Sequence, residues 1–548
     1  MNILKRLEVE STETEATRWI NDDIKPIEGG RRTWTFWTFH NYWILINSNI
    51  STYLTGSSLI ALGLTWWQAI ISIVVGNILA TIFVILNSVP GAYYHIGFPV
   101  VNRYVWGMYG SSFVIWNRIL LSLVWYGFQA WIGGECLYVC LLALSPSLET
   151  HIPNHMPAST GMTTAQFFAY ILFMLVSLPF IYIRPHKLKN LFYYSSATIL
   201  IFEIVLLIWA LATMGPAGFG DTISSTPTEE ASSTGWLIAY GIISTIGSIA
   251  AGILNQNDYA RFASRPRDAI MGQIFSFPLY AIICSIIGIL VTAATQNRFG
   301  GALWNLPDIF TTLIQNGGSR ERVAGFFAGA ALVISQIGVN VPGNALSGGF
   351  DFAATFPRYI NIRRGAYLTA LLSIAVNPWK LVNTATTFLA VLGSYSVFLG
   401  PMTGLMISSY FVVNRRKINV DDLFVGNKDS VYWFTYGVNW RAIVAWVCGT
   451  APSMPGFVAS VNTSVAVPVG FTHLYYICFL AGFAISAAVY SGLHLIFPAH
   501  AIKNFVETSG SPDQVMMEYQ ERWDGESSED ADEDVNKNGV VRSRAVDF

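Results

Sequence analysis

Residues 120–134 read LLSLVWYGFQAWIGG. The run suits a helix buried in an apolar medium until Gln129, which stands four residues after Trp125 and so shares its face one turn on. A glutamine carries two donors and an acceptor that hydrocarbon leaves unsatisfied. An indole and an amide set side by side in such a segment therefore ask for a polar partner inside an otherwise greasy protein.

The rest of the chain supplies that setting. Of 548 residues, 53% are hydrophobic and only 12% charged, where a soluble chain is typically about a quarter charged. Too little polar surface is left to keep so long a chain in water, and the expected class is an all-α, polytopic membrane protein. The net charge of −2 speaks against a nucleic-acid partner. The five cysteines lie in apolar runs, with no CxxC pair, and read as reduced packing residues. Eight histidines are scattered with no metal-ligand spacing, no nucleophile motif accompanies them, and no cofactor is expected; an enzyme is disfavoured. The first 40 residues hold no apolar core of the signal-peptide kind.

About 20 mostly apolar residues cross a bilayer as a helix. Twelve such windows can be read, near 41–62, 66–87, 113–142, 166–184, 193–214, 236–255, 271–294, 324–348, 366–383, 386–412, 441–460 and 473–497. The ninth is broken by Asn377, Pro378 and Lys380. Lys5, Arg6, Lys25, Arg31 and Arg32 in the amino-terminal arm share one side with Arg103, Arg184, Lys187, Lys189, Arg261, Arg265, Arg267, Arg358, Arg363, Arg364, Arg415, Arg416 and Lys417. Basic loops stay cytoplasmic, which places both termini inside. Asn462-Thr463-Ser464 then falls outside as a candidate glycan acceptor. The tail, with GESSEDADEDVNKNGVV at 525–541, has the composition of a disordered acidic segment, a platform for trafficking or endocytic machinery if it is more than a solvated end.

Two windows look interrupted: INSNISTYLTGSS (46–58) in the first and YGIISTIGSIAAGILNQND (240–258) in the sixth. They lie five spans apart, where an inverted five-plus-five repeat places its two discontinuous helices; small-residue packing would also enrich Gly and Ser. The eighth window adds SQIGVNVPGNALSGG (335–349), where a proline and several glycines interrupt a helix that carries Gln336, with Asn340 and Asn344 on one face. A planar polar ring stacked on Trp125 and bonded at its edge by Gln129 and Asn344 would satisfy all of these groups.

RRTWTFWTFHNYW (31–43), GLTWWQAI (63–70), YHIGFPVVNRYVWGMYGS (94–111), LVWYGFQAWIGGE (123–135) and NQNDYARF (255–262) resemble the nucleobase–cation–symport-1 family, and within it the fungal Fur-type permeases for uracil, allantoin and uric acid. The resemblance runs from about residue 20 to about residue 500. It implies twelve membrane helices, a five-plus-five inverted-repeat core of the LeuT type (41–215 and 236–412) with two further helices (440–497), an amino-terminal arm (1–40), an acidic disordered tail (500–548), and proton-coupled uptake at the plasma membrane. Trp125 would then stack on the substrate, Gln129 and Asn344 would bond its edge, and Asn340, Asn49 and Ser51 would complete the site. Phe388, Leu392 and Tyr395 in TTFLAVLGSYSVF (386–398) would gate it.

Two departures from bacterial members matter. The helix-8 positions that ligate sodium there are matched by Gly338 and Val339, which bear no hydroxyl, so a proton is the expected coupling ion. The sixth window has no tryptophan between 237 and 254 to sandwich the ring. Ionisable groups at membrane depth are costly and usually functional, which makes Glu203, Asp258 and Asp351 the proton-coupling candidates. Alternatives are carriage of thiamine or nicotinamide riboside, or a nutrient sensor that kept the pocket without transport.

Overall fold

The computed structural model describes Glu8 and residues 17–21, 23–183, 189–216, 218–219, 233–462 and 464–523. Among them every long element is a helix, as an apolar surround demands of a backbone that must satisfy its own hydrogen bonds. In chain order these are α1 (Phe36–Asn47), α2 (Ile50–Ala61), α3 (Trp66–Tyr94), α4 (Phe98–Trp106), α5 (Ser111–Leu144), α6 (Thr164–Tyr182), α7 (Lys189–Ala212), α8 (Thr234–Leu254) and α9 (Pro266–Phe299). They continue as α10 (Leu306–Asn316), α11 (Ser319–Thr355), α12 (Ile362–Leu372), α13 (Ala385–Val413), α14 (Trp440–Val461), α15 (Cys478–Ile496) and α16 (His500–Thr508).

Ten of these, α3, α5 to α9, α11 and α13 to α15, are long and apolar enough to cross a membrane. The remaining two windows are built of shorter pieces. In 41–62 the chain leaves helix at Ser48 (φ −91°, ψ 80°) and restarts after Asn49, whose side chain caps α2 by accepting from the Thr52 N–H at 3.2 Å. In 366–383 α12 stops at Leu372, and a left-handed Asn377 separates two short 3₁₀ turns.

The sixth and eighth windows differ from expectation. Helix α8 runs unbroken through Gly241, Gly247 and Gly252 and ends only at Leu254; the irregular stretch is Asn255–Gln256, before a short turn at Asn257–Ala260. Gly247 is a packing residue, because a Cβ there would run into the Leu392 carbonyl of α13. Around Pro342, α11 is not interrupted either: Val341–Ala345 forms a π-helical bulge that absorbs the proline and lets the helix continue to Thr355.

Helix α5 packs against α6 and α11, α3 against α8 and α9, and α13 against α8 and α15. The contact of α2 with α9 is the tightest kind. Gly56 meets the Ser285 backbone where no Cβ fits, and Ser285 Oγ donates to the Thr52 carbonyl at 3.0 Å.

Both ends of the described chain converge on the corner between α3 and α4. Arg103 donates to the Trp19 carbonyl, the Ile27 N–H to the His95 carbonyl, and the Trp34 N–H to the Phe262 carbonyl. The tail departs from its expected disorder: α16 is followed by helical residues 512–523 that lie on the same corner. Tyr519, buried, donates from its hydroxyl to the Tyr94 carbonyl at 3.0 Å, and Trp523 Nε1 donates to Asp421 Oδ1 at 2.9 Å. An apolar seam of Tyr519, Met516 and Trp523 drives this docking, which a count of acidic residues overlooks. The sequence GESSEDADEDVNKNGVV, Lys5, Arg6, Arg184, Lys187 and Thr463 lie outside the described residues; Asn462 is exposed.

His95 sits at this corner with Nδ1 3.0 Å from the Arg261 carbonyl and Nε2 3.5 Å from Gln520 Nε2. Only the neutral ring can donate from Nδ1 while accepting at Nε2. Burial, reinforced by Arg32, lowers its pKa from 6.5 to about 4. The folded corner thus binds fewer protons than the unfolded chain, and the stabilisation His95 brings to it, about 3 kcal/mol at most, is complete above pH 6.5 and lost as pH falls through 4. Hydrogen exchange of residues 512–523, corrected for intrinsic rates, should rise over that window, and His95→Gln should flatten the rise.

Candidate substrate site

A cavity of about 120 Å³ lies beside the α1–α2 break. Helix α5 gives it one wall from a single stripe, Arg118, Ser122, Trp125 and Gln129, spaced to lie on one face. Asn49 and Ser51 come from the break, Thr245 and Ser248 from α8, Val339 from α11 just before its bulge, and Gly343 and Asn344 from the bulge itself. The bulge re-registers α11 so that Asn344 faces the same space as Trp125.

The polar groups form one chain across the break. Gln336 Nε2 donates to Gln129 Oε1 at 3.0 Å, Gln129 Nε2 donates to Ser51 Oγ at 2.9 Å, and Ser51 Oγ donates to Asn49 Oδ1 at 2.7 Å. Gln129 keeps a second amide hydrogen and a second lone pair for a ligand. Asn344 Nδ2 donates to Asn340 Oδ1 at 3.0 Å, which leaves the Asn344 carbonyl oxygen to the cavity. Trp125 is half-buried, with Phe128 edge-on at 5.4 Å between ring centres. A flat face, a free amide edge on α5 and a free carbonyl on α11 are thus presented to one volume.

A family model described as "Permease for cytosine/purines, uracil, thiamine, allantoin" matches residues 26–482. The chain belongs to this family. The allantoin permease of Saccharomyces cerevisiae is 35% identical over 498 residues, covering 89% of this chain and 78% of the relative. The uracil permease of the same yeast is 32% identical over 500 residues, with the same shares covered. Among solved structures, inward-facing Mhp1 superposes with a TM-score of 0.70 at 19% identity, covering 92% of this chain and 98% of that one. A closed form of Mhp1, a nucleobase-cation-symport-1 family transporter with bromovinylhydantoin bound, superposes with 0.67 at 20%, covering 91% and 100%. The permease is therefore a multi-pass membrane transporter with the Mhp1 fold, not an enzyme.

The other residues singled out in the sequence fall in different places. Asn340 is not among the residues lining the cavity; its amide donates to the Tyr126 carbonyl at 3.2 Å and its oxygen holds Asn344. Phe388, Leu392 and Tyr395 do not line it either. Phe388 stacks between Phe128 (5.6 Å, 17°) and Trp304 (5.7 Å, 27°), at the end of the bundle opposite the docked tail. Leu392 gives its carbonyl to the α8 contact, and Tyr395 packs half-buried beside the core. Gly338 fits against Ser195 of α7 so closely that a side chain would collide.

The three carboxyls have separate roles. Glu203 is buried, with Oε1 2.9 Å from Cys284 Sγ. Asp258 accepts from the Phe98 N–H at 2.8 Å and so caps α4; its neighbour Arg261 reaches the Asp23 carbonyl at 3.1 Å. Asp351 lies 3.7 Å from Arg118 Nε, under the cavity. Arg118 also bonds Ser347, and Asn255 joins them by accepting from both while donating to the Ala251 and Gly252 carbonyls. Tyr42 and Tyr259, 4.7 Å apart, close the cavity toward the docked-tail end.

Arg118, Tyr42 and Tyr259 are absent from the residues chosen on sequence grounds. The signal for Arg118 was available: it stands seven residues before Trp125 on the Gln129 face. Removing one member of a buried ion pair strands the other, at a cost of about 3–5 kcal/mol. Arg118→Ala should accordingly lower the melting temperature of the detergent-solubilised permease sharply. Arg118→Ala with Asp351→Asn should recover most of the loss, as thermal scans will show.

Proposed function

We propose that the permease carries a flat heterocycle rimmed by N–H and C=O groups, such as uracil, allantoin or uric acid, into the cell with a proton. The reading takes alternating access across the plasma membrane as its route, with both termini cytoplasmic. The observation that carries it is the convergence of Trp125, Gln129 and Asn344 on one cavity beside a broken helix. A six- or five-membered lactam ring uses all three: its face on the indole, its C=O on the spare Gln129 amide hydrogen, its N–H on the Asn344 oxygen. The bromovinylhydantoin seen in Mhp1 is a molecule of this kind.

The orientation rests on the basic loops, which gather at the end where the amino-terminal arm and the tail dock. The coupling ion is taken to be a proton because the matching α11 positions offer sodium no hydroxyl: Gly338 is sterically closed by Ser195 and Val339 has no side-chain oxygen. Proton carriage draws on the buried carboxyls Glu203, Asp351 and Asp258.

Radiolabelled uracil uptake in a yeast strain stripped of its own permeases, challenged by allantoin, uric acid, uridine, thiamine and cytosine at acidic and neutral external pH, tests the reading. Saturable uptake, faster in acid and blocked by the small lactams, is expected; displacement by thiamine alone would move the substrate class. Binding with no accumulation would make the protein a sensor. Trp125→Ala and Asn344→Ala should each abolish uptake while a fluorescent fusion still reaches the cell surface. Losing one bond to the ring at about 1.4 kcal/mol, Gln129→Ala should raise the half-saturating concentration at least tenfold.

A further inference from the structure

Cys284 of α9 stands between two oxygens. Its Sγ lies 2.9 Å from Glu203 Oε1 on α7 and 3.4 Å from the carbonyl oxygen of Asn49, the residue at the α1–α2 break. All three residues are buried. A thiol has one hydrogen and serves one acceptor at a time. Two acceptor oxygens around one S–H leave one contact without a hydrogen, unless Glu203 itself brings one. With a proton on Oε1 the count closes: Glu203 O–H donates to Cys284 Sγ, and Cys284 S–H donates to Asn49.

The surroundings favour that count. Among the described residues no Lys, Arg or His bonds or pairs with Glu203, and an unpaired carboxylate at membrane depth is costly. The titratable groups that face it are Cys284 and Tyr53 of α2. Helix α11, packed on α7, has no ionisable side chain between Arg322 and Asp351. Helix α1 brings His40, which is bonded to Tyr280 of α9, and Tyr42, which lines the substrate cavity beside Tyr259.

We propose that Cys284 is a relay through which a proton on Glu203 sets the hydrogen bonding of the Asn49 carbonyl at the edge of the substrate cavity. This rests on the proton-symport reading above. When Glu203 gives its proton to water, one O–H bond breaks and a carboxylate remains. The S–H bond stays intact and turns to donate to the carboxylate. The Asn49 carbonyl, which already accepts the Tyr53 N–H at 3.1 Å, then loses its second donor. The lone pair set free is the one turned toward Cys284, on the backbone of Asn49, a residue that lines the cavity together with Ser51. Glu203 acts at a distance and Cys284 is a positioning residue; neither lines the cavity.

Full-length permease in proteoliposomes, assayed with radiolabelled uracil and allantoin at acidic and neutral external pH together with proton flux, tests the relay. In wild type we expect faster uptake in acid with protons carried along. Glu203→Gln and Cys284→Ala should bring the acid-to-neutral rate ratio to about one, whereas Cys284→Ser, which still donates and accepts, should keep most of it. Infrared spectra of the purified protein need no transport: a carboxylic C=O stretch at neutral pH should vanish in Glu203→Gln and shift in Cys284→Ala. Wild-type uptake indifferent to pH and without proton flux removes the symport reading, and the relay with it. Symport that persists with an unchanged pH ratio in both variants, or a missing carboxylic band, overturns the relay alone.

Discussion

A helix that stops in the middle of an apolar bundle leaves backbone donors and acceptors that no lipid can satisfy. The gap at Ser48–Asn49 is such a stop, and much of the surrounding sequence can be understood as provision for it. Asn47 reaches across to the Phe277 carbonyl at 2.9 Å, Asn49 caps the restarted helix, and Ser51 links that cap to Gln129 and Gln336. Of these groups Asn47, Asn49, Ser51 and Gln129 also line the cavity, and Gln336 supports Gln129. Under the proposed function, structural need and ligand recognition draw on one set of amides, so that substituting any of them would disturb both.

The polar chain is held between two helix pairs. On one side α2 and α9 are fused by close backbone contact at Gly56. On the other, α5 and α11 also approach backbone to backbone, at Gly329 against Cys136, with the π bulge aiming Asn344 inward. Two closely packed helix pairs thus flank the break at Ser48, with the Phe128–Phe388–Trp304 stack at one end and the Tyr42–Tyr259 pair at the other.

The fold class was legible because composition and the length of apolar runs report directly on a solvent. The Trp125–Gln129 pair was legible because a helix repeats its face every three to four residues. Other features follow from three-dimensional contacts that spacing does not encode. Asn340 and Asn344 share a face, yet one points into the cavity and the other supports it, a difference made by the bulge at Val341–Ala345. The glycines of α8 suggested a break and instead make room for α13, because the same residue serves flexibility and close approach alike. Phe388 and Leu392 were placed by resemblance, and their neighbours in this chain, Trp304 and Gly247, set what they touch.

The docked segment beyond α16 changes where the molecule ends. Judged by charge, the natural place to trim the chain is near residue 507, where acidic and polar residues begin to dominate. A cut there would strip Tyr519 from the Tyr94 carbonyl and both Arg522 and Trp523 from Asp421, baring an aromatic patch next to the basic loops. The folded body reaches at least to Trp523, and a cut meant to leave it intact belongs after that residue.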